Sequence, residues 1–427
     1  MNKYFDKEYR PRIIDKLIKK YLKVAGAICI EGPKWSGKTW TSIHNSKSFF
    51  FVDDPKNNFS NRKLAENNLE FVLKGENPRM IDEWQEVQSI WDATRFEIDK
   101  RNKKGLFILT GSSAPSNKGV MHSGSGRIIT LRMNTMSLYE SNDSSGSISL
   151  KELCNGNLTT QNVDEISIEK LAYLIIRGGW PGNLDTNEND CNLMPKSYVD
   201  TILNNTLHSY QQLNFNTQKM KLILKSLARN ESTCASEVSI LNDVKENDNE
   251  SISRTTLRNY LDLINQNFLT NNQEPYSPNF RSSLRVKQFE KRRFSDPAMA
   301  AALLELTPKK LLSDFNLFGL LFESLVIRDL KIYAQAMNAK VFHYQDYANN
   351  ELDAIIELED GNWCAFEIKL GSSRIEEAAN NLNKVTNKMV QSGASMPKIK
   401  CIICGFGNVA YQREDGIFVI PINALKD

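Results

Sequence analysis

The chain has 427 residues, 41% of them hydrophobic, with 54 Lys and Arg against 51 Asp and Glu. That length suggests about three domains at roughly 150 residues each, with apolar material for several cores. A net charge of +3 does not by itself point to nucleic acid, so only local patches could do so. The first residues, Met1-Asn2-Lys3-Tyr4-Phe5-Asp6-Lys7, lack an apolar signal core, and no run approaches membrane-spanning length. A soluble, cytoplasmic protein with no membrane partner is expected. The seven cysteines are scattered and odd in number, which suits a reducing compartment. Cys401-Ile402-Ile403-Cys404 has metal-like spacing but no second pair, and reads as a buried strand. His44, His122, His208 and His343 form no ligand-spaced cluster, so no zinc is assigned.

The apolar run Val24–Ile30 predicts a buried strand. Behind it comes Gly32-Pro33-Lys34-Trp35-Ser36-Gly37-Lys38-Thr39, which fits the phosphate-loop pattern G-x-x-x-x-G-K-[ST]. Strand, loop and following helix are the context in which that pattern works. Gly32 and Gly37 allow a tight turn whose N–H groups face phosphate oxygens. The helix N-terminus adds positive potential. Lys38 would reach the β- and γ-phosphates of ATP, and the Thr39 hydroxyl would bind Mg²⁺.

Met80-Ile81-Asp82-Glu83-Trp84 has the form of a Walker B strand end. Asp82 would hold Mg²⁺ through water, and Glu83 would polarise the attacking water. An acid-rich helix start is compatible with this, since Val87, Ile90, Trp91, Phe96 and Ile98 continue at helical spacing. The next strand, Leu106–Thr110, ends in Gly111-Ser112-Ser113. Either serine could sit beside the γ-phosphate, or simply cap a helix. Gly124-Ser125-Gly126-Arg127 leads into the strand Ile128–Leu131. Arg127 is a candidate arginine finger, for its own nucleotide or a neighbour's in a homo-oligomer; a solvated loop arginine is the alternative. Strands and helices alternate to about residue 140, the order of a parallel sheet covered on both faces.

Residues 141–170 read as a polar loop with a short helix, followed by helices over Ile168–Ile176 and about Pro195–Tyr210. Residues 216–278 carry three helical patterns. Met220, Ile223, Leu224 and Leu227 mark the first; Val238, Ile240 and Leu241 the second. The third opens at Ser253-Arg254-Thr255-Thr256, with Leu257, Tyr260, Leu261, Ile264 and Phe268 on one face. With Phe268-Leu269-Thr270 and Pro275-Tyr276 as a wing, this is a winged-helix-like pattern. Arg254 and Arg258 would then face DNA. A packing module is an equal alternative, because the acid-rich Asp243–Glu250 would repel a duplex. Arg281, Arg285, Lys287, Lys291, Arg292 and Arg293 form the most basic stretch. It reads as a basic surface strand pair or, more sharply, a nucleic-acid track.

Near the C-terminus, Glu323 lies beside an apolar helical face. Glu351–Leu358 and Trp363–Lys369 form a predicted hairpin around the turn Glu359-Asp360-Gly361-Asn362. Thirteen residues separate Asp353 from Glu367, a length that brings the two carboxylates together. Glu367 and Lys369, two apart on a strand, face the same side. Asp353 and Glu367 could share a Mg²⁺, with Glu323 as support and Lys369 orienting the attacking water. The rival is a Glu–Lys pair on an exposed hairpin face. A helix over Ile375–Met389 and a strand over Lys400–Cys404 would continue the domain.

The strings Tyr9-Arg10-Pro11-Arg12-Ile13, EGPKWSGKTW, IDEWQEVQSIWDATRFEID, LFILTGSS, GSGRI and Leu138-Tyr139-Glu140 resemble prokaryotic AAA-type ATPases. Those proteins carry a C-terminal domain of unknown function that resembles restriction endonucleases. The resemblance implies that Gly32, Lys34, Gly37, Lys38 and Thr39 lie in the nucleotide loop. It matches Asp82 and Glu83 to Walker B and Arg127 to the family's Gly-Arg position. It also matches Asp353, Glu367 and Lys369 to a nuclease motif, with Glu323 as the helix carboxylate. The Ser/Asn-rich residues 141–170 depart from it. The expected fold class is α/β, with a helical middle domain. A P-loop AAA-type ATPase domain would span 1–205, a helical winged-helix-like domain 206–285, and a restriction-endonuclease-like domain 286–427. The expected function is ATP hydrolysis with Mg²⁺, coupled to a C-terminal domain that acts on or binds DNA. The alternative is a regulatory ATPase with a non-cleaving protein- or DNA-interaction module.

Overall fold

The computed structural model describes residues 8–112, 123–206, 216–248, 250–277 and 289–427. Met1–Lys7, Ser113, His122, His208, the end of the helix expected to reach Tyr210, and Arg281, Arg285 and Lys287 lie outside them. The chain packs as two compact units: residues up to Thr135 with Gln266–Phe268, and Met136–Asn265 with Leu269–Asp427.

The first unit is built on a parallel sheet of β1 (Ala27–Glu31), β2 (Ser48–Phe51), β3 (Arg79–Asp82), β4 (Phe107–Gly111) and β5 (Ile128–Arg132). Its order is β2-β3-β4-β1-β5. Both faces are covered, as the alternating pattern predicts. Ile28 and Ile30 of β1 pack with Ile14, Leu17 and Ile18 on one side. Ala27 and Cys29 pack with Trp84, Trp91 and Ile98 on the other. β2 was not anticipated: its four residues, Ser48–Phe51, are too few to show a strand period. The stretch after Asp82 is not one helix: a single 3₁₀ turn, Trp84–Glu86, precedes the helix Ser89–Arg101.

The second unit begins earlier than the expected boundary at 205. Its buried interior explains why. Asp329 Oδ2 accepts the Leu138 N–H at 2.9 Å, and Asp296 Oδ2 accepts the Gly179 N–H at 2.9 Å. Arg328 bridges those two carboxylates at 3.0 and 2.8 Å. Residues 136–205 are thereby fastened to the C-terminal part of the chain. The Ser/Asn-rich stretch is not only loop. It supplies β6 (Ile148–Ser149), the helix Leu150–Cys154 and β7 (Gln161–Asn162).

A seven-stranded sheet follows, from β8 (Lys340–Gln345), β9 (Glu351–Glu357), β10 (Trp363–Lys369), β11 (Lys400–Cys404), β12 (Val409–Gln412) and β13 (Phe418–Pro421) with β7 at its edge. Its order is β7-β12-β13-β11-β10-β9-β8. The last strand, β14 (Leu425–Lys426), pairs with β6. The hairpin β9–β10 is antiparallel, and the helix Ile375–Gln391 crosses over to the parallel strand β11, as expected. Cys401 and Cys404 are buried in β11.

Three helices, Thr217–Arg229, Glu237–Asp248 and Arg254–Gln266, occupy the middle of the chain. The expected wing between residues 268–270 and 275–276 is not the observed pairing. Thr270 and Gln273 pair with Phe294 and Lys291, and Pro275 pairs with His343 of β8. This anchors residues 270–275 to the C-terminal sheet instead of folding them into a local hairpin. Among the described residues, no helix is long and apolar enough to cross a membrane.

Candidate functional site

The phosphate loop follows β1 and opens the helix Lys38–His44. Gly37 has a left-handed φ of 97°, which glycine adopts without strain. At Gly32 a Cβ would lie 2.1 Å from the Met133 carbonyl oxygen, so no side chain fits. Lys34 and Trp35 are exposed at the loop, while Ser36 and Lys38 are buried. Lys38 Nζ donates to the Gly32 and Pro33 carbonyls at 2.9 and 2.8 Å. Burial pushes its ammonium down to about 8, against the pull of Glu83 and Asp82. It is a desolvated cation folded onto its own loop, available to an incoming polyanion.

Asp82 and Glu83 stand at the end of β3, and β4 lies between β3 and β1. Thr39 Oγ1 donates to Asp82 Oδ1 at 3.0 Å. Thr110 at the end of β4 also donates to Asp82 Oδ1, and its oxygen accepts the Glu83 N–H at 3.2 Å. Ser112 Oγ donates to Glu83 Oε2 at 2.9 Å, and Gln85 Nε2 donates to the same oxygen. Ser112 thus faces the Walker B pair. The alternative of a bare cap does not describe it. Burial pushes the Asp82 carboxyl up to about 6, with the Thr110 and Thr39 hydrogen bonds opposing. A carboxylate so poorly compensated, bonded to the hydroxyl beside the loop lysine, fits a divalent cation. Thr39 and Asp82 would hold Mg²⁺, which keeps most of its waters and takes few protein ligands.

The second constellation gathers as predicted and gains members that were not. Lys369 Nζ lies 2.6 Å from Glu367 Oε2 and 3.4 Å from Asp353 Oδ2. Asn381 donates to Glu367 at 2.9 Å, and the Ile368 N–H donates to Asp353 at 2.8 Å. Glu323 is bound by Lys291 at 2.8 Å and by Arg293. Lys291 also contacts Glu351 and lies 3.8 Å from Asp353 Oδ1. Lys291 and Arg293, expected on a basic surface, are only 3% and 2% exposed. The pairing of Lys291 with Gln273 turns that side chain inward.

Four carboxylates (Glu323, Glu351, Asp353, Glu367) therefore face three cations (Lys291, Arg293, Lys369). The charge mismatch falls on Glu367: burial, then Asp353, holds its carboxyl well above the usual range. Burial raises Asp353 too, but Lys369, Lys291 and the Ile368 N–H outweigh it and leave it below that range. Lys291 contacts Glu323 and Glu351 and approaches Asp353, one of the two carboxylates expected to share Mg²⁺; the other, Glu367, faces Lys369. Among the described residues, no three His, Cys, Asp or Glu side chains are arranged to hold a metal ion. The Mg²⁺ expected at Asp353 and Glu367 would share those two carboxylates with the Lys369 ammonium that both of them contact. A cavity of about 460 Å³ opens over Glu323, Asp353 and Lys369, flanked by Phe315 and Phe406.

Residues 25–142 match the AAA domain family. The chain is an ATPase with an N-terminal AAA-type P-loop domain. Residues 168–310 and 318–425 match two domains of unknown function, DUF8612 and DUF4143. Those matches carry the expected restriction-endonuclease likeness no further. No curated protein matches the chain. Among solved structures, the Walker-type ATPase PABY2304 of Pyrococcus abyssi aligns with a TM-score of 0.41 at 11% identity, covering 69% of this chain and 96% of that one. The Hef helicase domain of Pyrococcus furiosus aligns with a TM-score of 0.19 at 10% identity, covering 97% and 95%. Both scores are too low to fix this chain's fold, which rests on its own geometry.

Within the ATPase domain, Arg127 does not reach its own phosphate loop. Ile128, the first residue of β5, pairs with Ala27 at the start of β1, whereas the loop follows Glu31. The length of β1, about 13 Å, separates the two ends. Arg127 instead pairs with Asp99 at 2.9 Å. Two residues that sequence reasoning missed do contact the site. Thr110 was read only as the end of a strand. Arg12 lay within a family string but was given no role; its guanidinium reaches Ser36 in the loop.

The raised Asp82 carboxyl gives the ATPase a pH signature. In the metal-free protein this carboxyl binds its proton more tightly than in the unfolded chain. Its stabilising contribution is full below the ordinary aspartate range and is lost as pH rises through about 6. Metal binding must displace that proton. Affinity for Mg²⁺–nucleotide is therefore expected to fall, by up to about tenfold per pH unit, below about pH 6. Calorimetric titration between pH 5 and 8 measures this; an Asp82→Asn protein with the same pH slope would assign it elsewhere.

Proposed function

We propose that the chain is a regulatory ATPase whose C-terminal unit is a non-cleaving interaction module. ATP with Mg²⁺ is held by Gly32–Thr39 and Asp82, and Glu83 orients the attacking water. The observation that carries the second half is the buried Lys291 ammonium between Glu323, Glu351 and Asp353. It brings a fixed positive charge to Glu323 and to the edge of Asp353, where a nuclease would place its metal. A protein partner is favoured over DNA. Arg254 and Arg258 are exposed, but both are paired to Glu237, which lowers the field a phosphate would meet. The middle helices then serve as a packing module, not a winged-helix reader of DNA. All seven cysteines are free, which suits a cytoplasmic setting. Should Arg127 act as a finger, it acts on a neighbouring copy's nucleotide in an oligomer.

The second reading is an ATP-controlled nuclease with a restriction-endonuclease-like domain. The meeting of Asp353, Glu367 and Lys369 beneath an open cavity favours it. The two readings separate in one experiment. The purified protein is incubated with plasmid and single-stranded DNA, ATP, and Mg²⁺ or Mn²⁺. Intact DNA alongside steady phosphate release is expected. Cleavage that disappears in Asp353→Ala and Lys369→Ala would establish the nuclease instead.

A further inference from the structure

We propose that Arg12 is a positioning residue for the ATPase, fixing the peptide of the phosphate loop that must point its N–H toward the nucleotide. One guanidinium nitrogen donates to the Ser36 carbonyl at 2.8 Å. The other donates to the Asn134 and Thr135 carbonyls at 2.9 and 3.2 Å. In a trans peptide the carbonyl and the following N–H point opposite ways. Holding Ser36 O against Arg12 therefore turns the Gly37 N–H away from it, toward the ligand side of the loop. Without that tie the 36–37 peptide can rotate and present its oxygen to a phosphate, reversing a dipole where charge complementarity matters most.

The anchor at the other end is rigid. Asn134 and Thr135 follow β5, and the Met133 N–H donates to Glu31 O at 2.8 Å, at the end of β1. Loop and anchor thus hang from the same sheet. Arg12 is held in turn by its neighbours. Its main-chain N–H donates to Asp15 at 2.9 Å. Asp15 accepts from Asn45 Nδ2 at 2.7 Å and from the Tyr9 hydroxyl, whose oxygen lies 3.2 Å from the Thr41 hydroxyl. The Tyr9 ring stacks on His44 with centroids 4.1 Å apart. Residues 9–15 are therefore fixed to the helix that the loop opens. Only a planar fork with two nitrogens spans both carbonyl sets; an ammonium is a single point.

The inference rests on the ATPase assignment and names a residue outside the loop and Walker B. Its test compares wild type, Arg12→Ala and Arg12→Lys by steady-state ATP kinetics and by calorimetry with ADP. Arg12→Ala should raise KM for ATP at least about tenfold and weaken ADP equally, with kcat within about threefold, because Asp82 and Glu83 stand on another strand. Arg12→Lys should raise KM at least about fivefold. Added ethylguanidinium should lower KM for Arg12→Ala and leave wild type unchanged. A merely structural role would lower the melting temperature without this split. Unaltered KM and ADP affinity in folded Arg12→Lys overturns the proposal, and this variant decides if Arg12→Ala fails to fold. A wild-type protein that hydrolyses no ATP would overturn the ATPase itself, a separate outcome.

Discussion

Lys38→Ala is expected to lower ATP turnover by at least about a hundredfold, the usual order for losing one preorganised charge at a phosphoryl-transfer centre. The ammonium is buried, donates to two carbonyls of its own loop, and is pushed down to about 8 by burial. Exchange of those carbonyls for phosphate oxygens would restore its full charge in a water-poor site. Alanine removes that charge, and with it both binding and transition-state stabilisation. Glu83→Gln provides the contrast. It keeps the loop and Asp82 intact, so nucleotide should still bind while turnover falls at least about a hundredfold. Phosphate release and calorimetric nucleotide binding on both variants check this. A folded Lys38→Ala protein with wild-type turnover would remove the catalytic site from this loop.

Lys291→Met is expected to destabilise the C-terminal unit by about 3–5 kcal/mol, the range for removing one partner from a buried ion pair. Burial alone would lower the lysine's affinity for its proton, yet Glu323, Asp353 and Glu351 together raise it above the ordinary value. The ammonium is thus committed to its charge. Methionine fills similar volume but leaves three acids facing one another. Denaturant unfolding of the full chain measures the loss. Adding Glu323→Gln should recover part of it, since the two sites share a contact. A loss under about 1 kcal/mol, the size of an exposed pair, would mean that Lys291 does not sit among these acids in solution.

These two sites were legible to different depths. The phosphate loop could be read because its contacts are local: Lys38 bonds residues five and six positions away. The β9–β10 hairpin was equally plain, because strand alternation and a four-residue turn decide which side chains meet. What escaped was set by distant chain. Arg12 reaches Asn134, 122 residues on, and Thr110 reaches Asp82 across 28. No spacing rule links such positions. Lys291 misled for another reason: six basic residues in thirteen positions look solvated, and charge alone does not reveal that two of them turn inward. The boundary at 205 failed likewise. Helical periodicity places Ile168–Arg177 on a helix but does not say which core its apolar face joins. Two-residue strands such as β6 and β7 are too short to leave any period.

Those two short strands limit how the molecule can be divided. Ile148 pairs with Leu425, and Asn162 with Val409, across some 250 residues or more of intervening sequence. A fragment excised from residue 286 onward would keep most of the seven-stranded sheet yet lose both partners. The outer backbone of β12 and β14 would then stand uncovered, a template for pairing with a second molecule. Self-association of such a fragment would therefore report a cut made through a shared edge, and its behaviour would say little about assembly of the intact chain.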